Sequence, residues 1–173
     1  MQEAGFQIRV VPSAIKEKVR RGEHPQNLVC RLAYEKAQQV AQKFSKDIVL
    51  GADTIVFQNG EILGKPATLE IAKETLLRLR GCSHKVYTGV CLFLKSEQKY
   101  ITWHSVTKVK FKEFSLGELE FCLKTGNPLD KAGGYAFQEH EHILVSSYTG
   151  LQSTIIGLPI EEVVSNLKTF LNS

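Results

Sequence analysis

Residues 50–66, LGADTIVFQNGEILGKP, decide how the rest of the chain is read. The apolar run Ile48-Val49-Leu50 leads into them as a buried strand. One carboxylate, Asp53, is set between Ala52 and Thr54, and a second β-rich run, Ile55-Val56-Phe57, follows. Asn59-Gly60 is the dipeptide that best suits a type I′ hairpin, because both residues tolerate a positive φ. The return segment Glu61-Ile62-Leu63 ends in Gly64-Lys65-Pro66, so a hairpin here brings Lys65 back toward the level of Asp53. An anion, a cation and a glycine at paired strand ends suit a metal-bound phosphate. They equally suit a surface salt bridge beside an ordinary hairpin.

Ahead of this stretch, Phe6, Ile8 and Val10 alternate with Gln7 and Arg9, which predicts a strand over 6–11. Residues 12–25 form a polar loop carrying Lys16, Glu17, Lys18, Arg20, Arg21 and Glu23, either a solvated segment or an anion-attracting flap. From Gln26 to Phe44 the apolar residues Leu28, Val29, Leu32, Ala33, Ala37, Val40, Ala41 and Phe44 recur at helical spacing. Lys36 lies at the edge of that stripe, where a lysine can snorkel to solvent. Met1 to Gly5 reads as the tail of a helix with Gly5 just past its end.

Behind the hairpin, Thr68 caps a predicted helix running to about Arg80, stopped by Gly81, with Ala72, Leu76 and Leu79 inward. Residues 84–94 and 99–111 read as two long strands joined near Lys95–Gln98. Ser115 and Glu118 form a capping box ahead of a helix whose apolar face is Leu116, Leu119 and Leu123, ended by Gly126. Asp130-Lys131-Ala132-Gly133-Gly134-Tyr135 is a second glycine-bearing stretch leading to Phe137-Gln138. Residues 143–148 read as a strand. Pro159 opens a last helix with Ile160, Val163, Val164, Leu167 and Leu171 on its apolar side. Strands and helices interleave, so the class is α/β, and the adjacent long strands predict a mixed rather than a purely parallel sheet.

At 173 residues the chain fits a single domain over 1–173. The net charge of +4 is modest, and a pI of 8.8 falls short of a nucleic-acid-binding balance. The four cysteines are scattered without metal-ligand spacing and read as reduced, mostly buried thiols of a cytoplasmic protein. The N-terminus has no apolar signal region, and no run is long enough to span a bilayer. His140-Glu141-His142 has two histidines at strand spacing and reads as a polar loop rather than a zinc site, since no third ligand lies nearby. No Walker A, dinucleotide or GxSxG pattern is present. Lys108, Lys110 and Lys112 alternate along a strand and read as a solvent face.

What remains is a dispersed polar set: Glu17, Lys36, Asp53, Lys65, Lys131 and Gln138. It suits a triphosphate with Mg²⁺ or Mn²⁺ held by hard oxygens, or a plain ion-pair network. The segments GADTIVFQNGEILGKP, HKVYTGV, TKVKF, PLDKAGGYAFQ, IIGLP and RLAYEKA, spread over nearly the whole chain, resemble the Maf family of nucleoside triphosphate pyrophosphatases. The resemblance implies a twisted mixed-sheet α/β fold like that of the inosine-triphosphate pyrophosphatases, with a cleft between two lobes. It implies divalent-metal-dependent hydrolysis of a nucleoside triphosphate to monophosphate and diphosphate, and a homodimer as the family-level expectation for partners.

Carried over motif by motif, Asp53 falls on the catalytic, metal-associated aspartate and Glu17 on a second metal-associated acid. Lys36 and Lys65 fall on phosphate-contacting lysines. Thr54 and Gln138 fall at substrate-reading positions, Gln138 against the base, and these two point to dTTP or UTP rather than a methylated guanosine triphosphate. Three departures stand out. The strand, Ser-x-x-Arg-Arg and helix that open the family are not in these residues, which leads to the expectation of a truncated or late-starting, catalytically weakened chain. Lys16 stands where the family is often acidic. Glu139-His140 stand where a glycine is usual. A nucleotide-binding regulator that has lost turnover is the alternative reading, and a basic nucleic-acid-associated protein is a third.

Overall fold

A computed structural model describes residues 5–172. Helix α1 (Pro25–Ala41) is followed by β1 (Val49–Gln58), β2 (Glu61–Leu63), α2 (Leu69–Leu79) and β3 (Ser83–Leu94). A short 3₁₀ turn, Lys95–Glu97, leads to β4 (Lys99–Phe111). Then come α3 (Leu116–Thr125), α4 (Phe137–Leu144), β5 (Val145–Thr149), α5 (Gln152–Ile156) and α6 (Ile160–Asn172). The class is α/β, as expected. The five strands lie in the order β2-β1-β3-β4-β5. The expectation of a mixed sheet is refined: β1 and β2, joined by a hairpin turn, pair antiparallel, and so do β4 and β5, which α3 and α4 separate along the chain.

Local chemistry explains most elements. Asn59 and Gly60 have φ of 49° and 87°, the left-handed values that the turn between β1 and β2 needs. The register Gln58↔Glu61 follows from that two-residue loop. The Thr68 hydroxyl accepts from the Ile71 N–H and starts α2. In α3 the Ser115 N–H donates to Glu118 at 2.6 Å while the Glu118 N–H donates back to Ser115 Oγ at 3.2 Å, the expected box. Helix α1 stops at Ala41 rather than Phe44, because the next turn tightens: the Lys43 and Phe44 N–H groups bond the carbonyls three residues back.

Several expectations are corrected. Residues 6–11 form no strand, since a strand exists only through its ladder and no described strand pairs with them. Val10 is 84% exposed. The expected helix tail at residues 1–4 lies outside the described residues, although Gly5 has the positive φ of 81° expected of a C′ glycine. Leu116 and Leu171, expected on buried faces, are exposed, and of the four cysteines only Cys91 and Cys122 are buried.

Helix α4 occupies residues expected to be loop. Its inward residues are Phe137, His140 and Leu144, a helical spacing in which a histidine takes an apolar slot. The His140 Nε2 atom meets Thr125 Oγ1 at 2.8 Å.

The chain divides into two compact units: residues 1–53, 88–105 and 157–173 form the first, and 54–87 with 106–156 the second. In the first unit, Ala33, Ala37 and Ala41 of α1 pack with Cys91 and Phe93, while Leu92, Leu167 and Phe170 form a further cluster. The small α1 face meets two glycines. A Cβ on Gly51 would lie 2.3 Å from the Ala33 carbonyl oxygen, and one on Gly89 equally close to the Val29 backbone. These glycines let helix and strands approach backbone to backbone. The second unit has one larger core, from Val56, Leu76 and Leu79 through Phe111, Phe114 and Leu119 to Leu144 and Ile155. Burying each such Leu or Phe stabilises by about 1.5–3 kcal/mol. No helix among the described residues is long and apolar enough to cross a membrane.

Candidate functional site

In the first unit, strand alternation puts Gly51 and Asp53 on the buried side of β1. Because Gly51 admits α1 so closely, the next outward-leaning residue of that helix, Lys36, comes within reach of Asp53. The Lys36 ammonium lies 2.6 Å from Asp53 Oδ1 and 2.7 Å from Glu17 Oε1. Glu17 arrives from the irregular segment before α1. Asp53 is nearly buried, with its side chain 6% exposed, against 20% for Lys36 and 48% for Glu17. Burial alone would lower the Lys36 pKa, but hydrogen bonds and charge from Asp53 and Glu17 outweigh it and raise the pKa. Lys36 is therefore a charged tie between two carboxylates rather than a snorkelling surface lysine.

Two carboxylates and one ammonium leave a net negative charge at a single point. That donor set fits a divalent cation: Mg²⁺ and Mn²⁺ take one or two carboxylates and complete their shell with water and substrate phosphate oxygens. Among the described residues no cluster of three or more His, Cys, Asp or Glu side chains is present, so such a cation would draw its other ligands from water and substrate. Glu17 and Lys36 also line a groove of about 990 Å³ within this unit, together with Ser13, Val40, Gly51 and Ala52.

The second unit holds the remaining candidates. The hairpin expected to carry Lys65 back along β1 forms, with Val56 opposite Leu63, and the Lys65 ammonium bonds Asp130 Oδ1 at 2.8 Å. The hydrogen bond from Lys65 holds the Asp130 carboxyl below its usual range. The turn carrying Lys65 is tied to the glycine-bearing stretch by the Gly133 N–H, which donates to the Gly64 carbonyl at 3.0 Å. Gly133 has φ 68° and a Cβ there would strike Val56 Cγ2 at 2.8 Å, so only glycine fits. Next, the Tyr135 hydroxyl and His84 Nε2 meet at 3.0 Å in the core. Desolvation lowers His84 to a pKa of about 4. Gln138 stands exposed in the first turn of α4, Lys131 is half-buried, and Thr54 continues β1.

Sequence reasoning thus named all three members of the Glu17–Lys36–Asp53 cluster and missed the partner of Lys65. It also passed over Arg31 and Gln39, whose signal was the four-residue spacing of Arg31, Glu35 and Gln39 along α1.

The family model described as Maf-like protein matches residues 1–170. The chain is 37% identical over 172 residues to a dTTP/UTP pyrophosphatase of Clostridioides difficile (strain 630), covering 99% of this chain and 89% of that protein. It is 40% identical over 170 residues to a dTTP/UTP pyrophosphatase of Bacillus cytotoxicus, covering 98% and 88%. A third such relative, from Bacillus cereus (strain G9842), is 39% identical over 170 residues at the same coverage. With a match over nearly its whole length, the chain belongs to the Maf-like protein family.

Proposed function

We propose that this protein is a metal-dependent nucleoside triphosphate pyrophosphatase acting on dTTP or UTP. Water cleaves the anhydride between the α- and β-phosphoryl groups, and the products are a nucleoside monophosphate and diphosphate. The reading rests on one observation, the convergence of Glu17 and Asp53 on Lys36, in a chain whose relatives carry the name dTTP/UTP pyrophosphatase. A divalent cation held by Glu17 and Asp53 would supply charge neutralisation at the phosphate oxygens and a lowered pKa for bound water. Asp53 orients the attacking water and accepts its proton. Lys36 keeps both carboxylates in place and offers an ammonium proton to a phosphate oxygen. Lys65 supplies a second phosphate contact. Gln138 and Thr54 read the base, the amide offering both a donor and an acceptor to a pyrimidine edge.

Diphosphate release from a panel of triphosphates, with and without Mg²⁺, tests the reading. The expected outcome is Mg²⁺-dependent release, faster from dTTP and UTP than from a methylated guanosine triphosphate. The reverse order would reject the base reading. Tight nucleotide binding with no diphosphate released would instead support a nucleotide-binding regulator.

A further inference from the structure

Glu17 sits in a segment with no helix or strand of its own, residues 6–20. Such a segment does not fix a side chain by local structure. Yet the chain is gripped on both sides of Glu17, each time by α1. Three residues before it, the Ala14 N–H donates to Gln39 Oε1 at 2.7 Å. One residue after it, the Lys18 carbonyl accepts from Arg31 Nη2 at 2.8 Å.

Arg31 does more than hold one carbonyl. Its Nε and Nη2 donate to the two carboxylate oxygens of Glu23, both at 2.7 Å, and its Nη1 donates to Glu35 Oε1 at 3.0 Å. Glu23 in turn accepts the Arg20 N–H at 3.1 Å. The Arg31 and Glu23 side chains are only 16% and 10% exposed. A part-buried, bidentate arginine fork of this kind fixes direction as well as distance, which a lysine cannot do. Arg31, Glu35 and Gln39 stand four residues apart on one face of α1, and Lys36 lies beside them. One helix therefore carries both the cation that meets the Glu17 carboxylate and the groups that hold the backbone around it.

We propose that Arg31 and Gln39 are positioning residues for Glu17: they clamp residues 14–23 onto α1 so that the Glu17 carboxylate faces Asp53 across Lys36. This rests on the reading of Glu17 as a cation ligand. If it holds, the two residues serve metal affinity without touching metal or substrate.

The clamp and the metal role are tested separately. Lys16, Lys18, Arg20 and Arg21 place trypsin sites inside the clamped segment. In Arg31→Met and Arg31→Lys, native-state trypsin should cut there about tenfold faster or more, because local opening becomes cheap, while circular dichroism shows a folded chain. Gln39→Leu should loosen the segment from the other side, and Gln39→Glu, which keeps an oxygen acceptor for the Ala14 N–H, should not. Mn²⁺ affinity is then read by electron paramagnetic resonance in the presence of α,β-imido-dUTP, which resists hydrolysis. Arg31→Met and Gln39→Leu should each weaken it about ten- to a hundredfold, as loss of an outer partner of a metal ligand does. In a Glu17→Gln background, neither should weaken it further.

Unchanged trypsin cleavage in Arg31→Met and Gln39→Leu overturns the clamp. Faster cleavage with unchanged Mn²⁺ affinity, or effects that add to those of Glu17→Gln, overturn the positioning role. Glu17→Gln that binds Mn²⁺ as well as the parent overturns the ligand reading of Glu17 and the positioning role with it, whatever the cleavage rates show.

Discussion

Each unit of the molecule contains an aspartate bonded to a lysine at nearly the same distance, and the two pairs have little else in common. Lys36 meets Asp53 at 2.6 Å with the aspartate 6% exposed; Lys65 meets Asp130 at 2.8 Å with side chains 58% and 62% exposed. In the first pair the aspartate is withdrawn from water, the lysine serves a second carboxylate, and removing the lysine strands a buried charge. In the second, water solvates both ends and either can let go. Bond length does not separate them; burial and the number of partners do. A buried carboxylate tied to a lysine is a weak source of stability.

The sharpest test of the contrast is Asp53→Asn. It conserves shape and leaves Lys36 paired with Glu17, so the fold should persist. Diphosphate release should fall about 10³-fold, within the range for loss of a positioned acid–base group. Near-normal turnover in Asp53→Asn would remove the aspartate from the mechanism.

Lys36→Met comes next and strikes stability as well as activity. It leaves Asp53 buried without its ammonium, and breaking a buried pair from one side costs about 3–5 kcal/mol. The double variant Lys36→Met/Asp53→Asn should recover most of that loss, because no charge is then stranded. Urea denaturation of the four forms gives the coupling directly, and an additive cycle would mean that the pair is as loosely bound as the exposed one.

These two pairs also mark how far sequence carries. Asp53 was legible as a candidate because a lone carboxylate interrupts an apolar run, and strand alternation puts it on the same buried side as Gly51 and Ile55. The hairpin, the Thr68 cap and the Ser115–Glu118 box were legible because each is closed by residues no more than three apart. Which lysine would answer Asp53 was not. The choice depended on Gly51 letting α1 lie against β1, a contact between residues 18 and 14 positions apart that no local pattern encodes. The predicted strand at 6–11 failed for the same reason: alternation describes a face, but only a partner makes a strand. Helix α4 was hidden because His140 fills a core slot that a count of apolar residues leaves blank.

A third case sharpens the comparison by burying a polar group without a counter-charge. His84 in the second unit is 3% exposed and bonded to the Tyr135 hydroxyl. Desolvation lowers its pKa from 6.5 to about 4. As pH falls below 6.5 the unfolded chain takes up the proton first, so stability falls until the folded state is also protonated near pH 4. At 1.36 kcal/mol per unit this is about 3 kcal/mol at most. Denaturation midpoints measured from pH 7 down to 4.5 should fall more steeply for the parent than for His84→Phe. Parallel curves would mean that His84 is not buried neutral.

The smallest effect belongs to the exposed pair. Lys65→Met should cost less than about 1 kcal/mol, the range for surface ion pairs, and raised salt should erase it. The Asp130 carboxyl is held low by Lys65, so the pair's contribution is present above the ordinary aspartate pKa of 3.8 and is lost as pH falls through the lowered value. Activity separates the two partners. If Lys65 contacts phosphate, Lys65→Met raises KM for the triphosphate, whereas Asp130→Asn removes a competitor for the ammonium and leaves KM equal or lower. The same substitution, aspartate to asparagine, is then nearly silent at 130 and disabling at 53. Equal losses of turnover from the two would show that exposure does not divide structural from chemical pairs in this protein, and the contrast between the units would fail.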